Sequence, residues 1–199
     1  SCSCNKYLSL RPEDGVTRDI FWQSKEQLQA GVIGIYNGLA TGPIGNCFAW
    51  GELRADFIVP GTGMTNDEIN LTEGNILSTN AVTNWASFYS VINRCNTVLD
   101  FAPGIKAIDK TLTQEQLNAS LAEALTIRSL MYFYLVRSFG DVPLKLKSTS
   151  SDTEVSQLAK TSQKVILDQI VADLKTAESY AVVTYGDNDS DKGRVTKYT

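Results

Sequence analysis

Residues 121–144 read LAEALTIRSLMYFYLVRSFGDVPL, and this stretch decides the fold. Leu121, Leu125, Arg128, Tyr132, Leu135 and Phe139 recur in steps of three and four, so they share one helix face. Ile127, Leu130, Met131 and Tyr134 add a second row, which makes the segment apolar almost all round. Such a helix needs neighbours on most sides and belongs at the centre of a helical assembly. Upstream, Thr113 and Gln116 have the spacing of a capping box. Gly140 supplies a left-handed stop and Pro143 forbids resumption. The helix is therefore predicted from just after Thr113 to Phe139, which at 1.5 Å per residue is roughly 40 Å long. Glu123 and Arg128 are charges on this apolar element and must be paired or lie at its rim.

Working outward, a preceding helix is predicted over Val82–Phe101, with Trp85, Phe88, Ile92, Cys95 and Leu99 on one face and Pro103-Gly104 ending it. On that face Trp85 and Tyr89 read as core aromatics rather than sugar-stacking ones, and Cys95 as a small buried hydrophobe. Before it, residues 41–81 carry eight glycines and prolines and little periodicity. Phe48, Trp50, Phe57 and Val59 alternate as short strands at about 47–51 and 55–59 would. A connection this long in a helical domain is usually functional. The first helix starts at Ser24, boxed by Gln27, and runs through Leu28, Val32, Ile35, Tyr36 and Leu39. Its Gly31, Gly34 and Gly38 line up as a face that another backbone could approach closely. Residues 5–22 read as extended or irregular. After a polar stretch, a last helix is predicted at about 161–181, capped by Thr161 or Ser162, with Ile166, Ile170, Leu174, Ala177 and Ala181 inward. The fold class is all-α: helix pairs of the tetratricopeptide kind with long irregular loops.

Composition narrows the function. The chain of 199 residues has 43% hydrophobic and 20% charged residues, the make-up of a globular domain. A formal charge of −4 with scattered cations argues against nucleic acid and against a polybasic membrane patch. There is no histidine, which removes the commonest general base, metal ligand and triad member. Chemistry would have to run on carboxylates, lysine or tyrosine. Cys2, Cys4, Cys47 and Cys95 lack zinc-site spacing. Asp187, Asp189 and Asp191 fall at alternate positions of an EF-hand-like loop, but Lys192 and Tyr198 occupy its glycine and glutamate positions, so a solvated turn is expected. No metal and no cofactor is expected.

The string from Glu123 and Ala124 through Arg128, Tyr132, Tyr134, Leu135, Arg137 and Phe139 to Gly140-Asp141-Val142-Pro143-Leu144 resembles the signature helix of the SusD/RagB family. Supporting matches follow in family order. They are Cys2 or Cys4 with Tyr7-Leu8 and Pro12, then Phe21-Trp22, then Trp85, Tyr89, Ile92 and Asn96. Ile170, Asp173, Leu174 and Ala177 come next, and Gly193-Arg194-Val195-Thr196-Lys197 closes the series. Family members are usually longer, so residues 1–199 are expected to be the N-terminal helical domain of a larger protein. The resemblance implies a non-enzymatic lipoprotein of the outer membrane, surface-exposed and anchored through Cys2, with Cys4 the alternative. It would capture an oligosaccharide, or less often a peptide, for uptake through a TonB-dependent, SusC-like transporter.

Sugar rings offer C–H faces to aromatic planes and hydroxyls to amides and carboxylates. The 41–81 loop holds both kinds of partner, so the site is expected there: Asn66 and Asp67 first, Trp50 for stacking, with Glu68, Asp56 and Asn70 nearby. Two other readings are a helical-repeat adaptor for another protein and a glycosidase working with two carboxylates.

Overall fold

Six α-helices make up the computed structural model among its described residues, which are 21–55, 58–149, 158–186 and 191–199. They are α1 (Lys25–Thr41), α2 (Ile44–Glu52), α3 (Asn66–Thr72), α4 (Ala86–Ile108), α5 (Gln114–Phe139) and α6 (Gln163–Tyr180). A 3-10 turn, Ala81–Thr83, precedes α4. The described strands are β1 (Val142–Pro143) and β2 (Lys160–Thr161), antiparallel, with Val142 opposite Thr161 and Pro143 opposite Lys160. The all-α reading holds. The expectations for residues 5–20 and for Cys2 and Cys4 lie outside the described residues.

Capping chemistry sets the helix starts. Ser24 and Thr113 each close a reciprocal box, with Gln27 and Gln116 respectively. Gly140, at φ +71°, ends α5, and its N–H donates to the Val136 carbonyl. Fourteen of the 26 residues of α5 are buried, so it is packed on more than one side, mainly by α4 and α6, while α1 lies against α4. Phe88, Ile92 and Cys95 of α4 and Met131, Tyr132 and Leu135 of α5 are essentially sealed from solvent.

The charges of α5 are paired, but not with each other. Two N–H groups of Arg128 donate to Asp173 Oδ2 on α6 at 2.7 and 2.9 Å, and a third donates to Asn96 Oδ1 on α4 at 2.8 Å. The Asn96 amide then donates to the carbonyls of Lys145 and Lys147, holding the chain as it leaves α5. Glu123, wholly buried, takes Arg194 at 2.6 Å and the Tyr36 hydroxyl at 2.7 Å. Val195 N–H donates to that same hydroxyl at 2.8 Å. Residues 191–196 thus form a strap across α5 onto α1. Burial, followed by the nearby charge of Glu123, pushes the Tyr36 hydroxyl well above its ordinary range and keeps it neutral.

Several local expectations are corrected. Residues 47–51 lie in helix α2, not a strand: Ala49, Trp50 and Leu53 are buried at helical spacing, while Phe48 is exposed. Of the segment 55–59, the described residues 55, 58 and 59 are not in a strand, and Asp56 and Phe57 are outside the described residues. Pro103 does not end α4, which runs on to Ile108. A proline in a helix interior costs about 3 kcal/mol, but Pro103 faces solvent while Ile105 beyond it is fully buried. Burying such a side chain returns about 1.5–3 kcal/mol, so continuing the helix is close to neutral locally. The glycines of α1 admit side chains rather than a backbone. A Cβ on Gly31 would meet Trp22 at 2.5 Å, and one on Gly38 would meet Arg94 at 3.1 Å. Leu174, read as inward on α6, is 41% exposed.

Candidate ligand groove

The glycine-rich connection folds into a small scaffold with few regular elements. Thr65 opens α3 with a third capping box: its hydroxyl accepts from Glu68 N–H, and Glu68 Oε2 accepts from Thr65 N–H at 2.7 Å. The bonds from the Thr65 N–H and hydroxyl hold the Glu68 carboxyl below its usual range. Asp67 reaches the other way, its Oδ2 accepting from Ala81 N–H at 2.9 Å, while its backbone carbonyl accepts from the buried Asn80 amide. Asn80 Oδ1 accepts in turn from Val82 N–H. On the opposite side Trp50 Nε1–H donates to the Val82 carbonyl at 2.7 Å. The segment leading into α4 is therefore stitched between α3 and α2.

Where that segment enters α4, Asn84 Oδ1 accepts from Ala86 N–H at 2.7 Å, and Asn46 donates to the Asn84 carbonyl. Trp85 follows, half-buried, its ring edge-on to Phe139 at 5.2 Å and tilted towards Tyr89 at 6.5 Å. Ile76, Leu77, Ser78, Thr83, Asn84, Trp85, Ala86 and Phe139 line an open groove of about 660 Å³. Ile76, Leu77 and Ser78 are exposed on one bank. No side chain lining the groove is ionisable. It offers two aromatic rings, apolar walls, an amide and two hydroxyls, of which that of Thr83 already donates to the Asn80 carbonyl at 2.7 Å. This chemistry suits a ligand with apolar faces and many hydroxyls.

A second cleft of about 520 Å³ lies between the start of α1 and α5, beside Tyr185 and Arg194. Several of its polar groups are already committed, although the buried Tyr185 hydroxyl has no hydrogen-bond partner among the described residues. Arg194 bonds Glu123 and Asp191 and stacks 4.0 Å over the Tyr185 ring, Gln116 closes its capping box, and Ser120 donates to the Gln116 carbonyl. The groove at Trp85, which sets two aromatic rings beside uncharged polar groups, is the better match to a sugar.

The residues singled out from sequence fall as follows. Trp50 is 6% exposed, stacked on Phe88 at 4.4 Å and edge-on to Phe139 at 4.8 Å; it is core, with its N–H also taken. Asn66 is exposed on the first residue of α3. Asp67 and Glu68 hold the loop and the helix end, and the Asn70 carbonyl accepts from Asn75 N–H. Asp56 is outside the described residues. The structure brings Asn66, Asp67 and Glu68 together on one turn and leaves Trp50 apart from them, as a support for Val82. The groove is lined instead by Trp85, which packs against the core as periodicity predicts and also borders the groove. Its signal was the polar run Ser78, Thr79, Asn80, Thr83, Asn84 leading directly into it.

Among the described residues no group of three or more His, Cys, Asp or Glu side chains could hold a metal ion, and no helix is long and apolar enough to cross a membrane. Asp191 is ion-paired to Arg194 at 2.8 Å, while Asp187 and Asp189 lie outside the described residues.

Comparison with known proteins gives a consistent result. A model of the SusD-like family, described as starch-binding and associating with the outer membrane, matches residues 6–189. A SusD-like protein of Formosa agariphila is 29% identical over 187 residues, covering 93% of this chain and 36% of that one. Another from Bacteroides ovatus is 27% identical, covering 100% of this chain and 34% of its own. The crystal structure of a SusD-like carbohydrate binding protein from Bacteroides fragilis is 25% identical with a TM-score of 0.73, over 89% of this chain and 35% of that one. The chain spans about a third of the length of the relatives it matches.

Proposed function

The chain belongs to the SusD-like family of starch-binding, outer-membrane-associated proteins, and from that premise we propose that it forms the capturing part of a cell-surface glycan receptor. The observation that carries this reading is the groove, where Trp85 and Phe139 stand beside Ser78, Thr83 and Asn84. Pyranose C–H faces pack on the indole ring, and the hydroxyls and amide bind the sugar hydroxyls. Asn66, exposed on the neighbouring helix, is a further contact for a longer ligand. Asp67 and Glu68 position the wall instead of touching sugar. Glycoside hydrolysis needs two carboxyl groups facing the scissile bond. The groove lining supplies none, which supports capture over turnover.

On this reading the captured oligosaccharide passes to a TonB-dependent, SusC-like transporter, and Cys2 carries the lipid that keeps the protein at the outer membrane. Both belong to the proposal. Co-purification of the full-length protein from membranes with a large β-barrel supports the first, and a lipid-modified N-terminal mass supports the second. An unmodified mass on membrane-derived protein would count against the anchor.

The direct test is calorimetry with a panel of oligosaccharides on full-length protein. Trp85→Ala is expected to weaken binding at least about tenfold, as loss of a central aromatic anchor does, with the thermal midpoint measured alongside. Unchanged affinity in a folded variant would move the site elsewhere. A full-length protein that binds no glycan but retains a protein partner would favour the helical-repeat adaptor reading.

A further inference from the structure

Given the glycan reading of the groove, on which this rests, we infer that the site admits uncharged oligosaccharides and turns away those bearing uronate or sulfate groups. Two independent observations support it. The first is the lining itself. A site for an acidic sugar is expected to present a guanidinium or ammonium group, since bidentate or charge-assisted bonds are what hold a carboxylate or sulfate. The groove has none.

The second is the distribution of charge along the chain. Residues 55–93, which build the scaffold and the groove wall, contain Asp56, Asp67, Glu68 and Glu73 and not one lysine or arginine. The other residues carry 18 acidic and 18 basic side chains, so the whole formal charge of −4 resides in this one segment. Asp67 and Glu73 stand close to the groove. The Asp67 carboxylate is 2.9 Å from Ala81 N–H, and Thr83 of the lining is two residues further on, at most about 7.6 Å between Cα atoms. Glu73 ends α3, three residues before Ile76 of the opposite bank. These spans are comparable with the Debye length of about 8–10 Å at ordinary ionic strength.

The cation nearest in sequence to Phe139 does not offset them. Arg137 is turned onto the rings of Tyr134 and Phe133, at 4.7 and 5.7 Å. Arg94 of α4, at the C-terminal boundary of the segment, reaches across to α1 and donates to the Gly34 carbonyl at 2.9 Å. Within the segment and the groove lining an incoming polyanion therefore meets like charge and no cation to pair with it, which disfavours both its approach and its residence.

The test uses full-length protein, uncharged gluco-, manno- and xylo-oligosaccharides, and oligogalacturonate and sulfated oligosaccharides of matched length, titrated at low and high salt. Uncharged ligands should bind about tenfold or more tightly than the acidic ones at low salt, and the gap should narrow as salt rises. In the triple variant Asp67→Asn, Glu68→Gln, Glu73→Gln the Ala81 hydrogen bond and the capping box keep acceptor oxygens. That variant should raise the affinity for acidic ligands relative to uncharged ones about tenfold at low salt. Glu73→Gln by itself, at an exposed position, should move acidic ligands in the same direction by a smaller factor if the triple variant is unstable. Acidic oligosaccharides bound as tightly as uncharged ones, or a ratio unmoved by both variants, would overturn the inference while leaving glycan capture standing. Binding of neither class would overturn the capture reading, and this inference with it.

Discussion

Arg128 shows how a single residue can be expensive to keep and more expensive to lose. It and Asp173 are 7% and 8% exposed at their side chains, and their pairing joins α5 to α6 while Asn96 joins both to α4. Removing one partner leaves the other charge buried and unpaired, a loss of about 3–5 kcal/mol. Arg128→Ala should therefore lower the urea midpoint of full-length protein sharply. Replacing both together, Arg128→Met with Asp173→Leu, should cost much less, since apolar groups of similar volume leave no charge uncompensated. Equal losses in the two variants would show that the pair acts through packing alone. From sequence it was legible that Arg128 and Glu123 needed partners. Which partners was not, because Asp173 and Arg194 lie 45 and 71 residues away.

At the scale of elements, the starts of α1 and α5 were readable because a capping box is a local event in which four consecutive residues satisfy one another. The box that opens α3, Thr65 with Glu68, was just as local but lay inside a glycine-rich stretch without periodicity to draw attention to it. Residues 47–51 read as a strand because Phe48 and Trp50 alternate, and only the tertiary packing of Trp50 against Phe88 and Phe139 selects the helix. The same packing decided the site. It took Trp50 wholly into the core and left Trp85 packed against the core with one part of its ring open to the groove. The end of α4 failed for a different reason: a proline stops a helix when nothing beyond it is buried, and here Ile105 is. Pro103→Ala restores a donor toward the Leu99 carbonyl. It should stabilise the protein by up to about 3 kcal/mol, reduced by the greater freedom of the unfolded chain. The checks are a raised thermal midpoint and slower amide exchange in residues 103–108; no change in either would mean the helix is held wholly by its inner face.

Across the whole molecule, α4, α5 and α6 provide a rigid body, and the loop cluster that carries the groove is attached to one end of it through Trp50, Asp67 and Asn80. The other attachment is the strap at 191–196, which Arg194 and Glu123 lock onto α1 and α5. Arg194→Met should strand the buried Glu123 carboxylate and loosen the strap, so limited trypsin digestion should cut at Lys192 and Lys197 faster than in wild type. Adding Glu123→Gln should restore much of the resistance. Protection unchanged in the single variant would assign the strap's hold to Val195 instead.

The bond from Val195 N–H to the Tyr36 hydroxyl joins residues 159 apart, and this separation sets a timetable for synthesis. Helix α1 emerges early from the ribosome but cannot acquire its last partner until residue 195 has been made, roughly 10–30 s later at translation rates of ~5–20 residues per second. During that interval the Tyr36 side of α1 lacks its strap, and a helper that holds nascent chains would have its opportunity there. Because closing so long a loop comes late in folding, the strap is also where unfolding should begin.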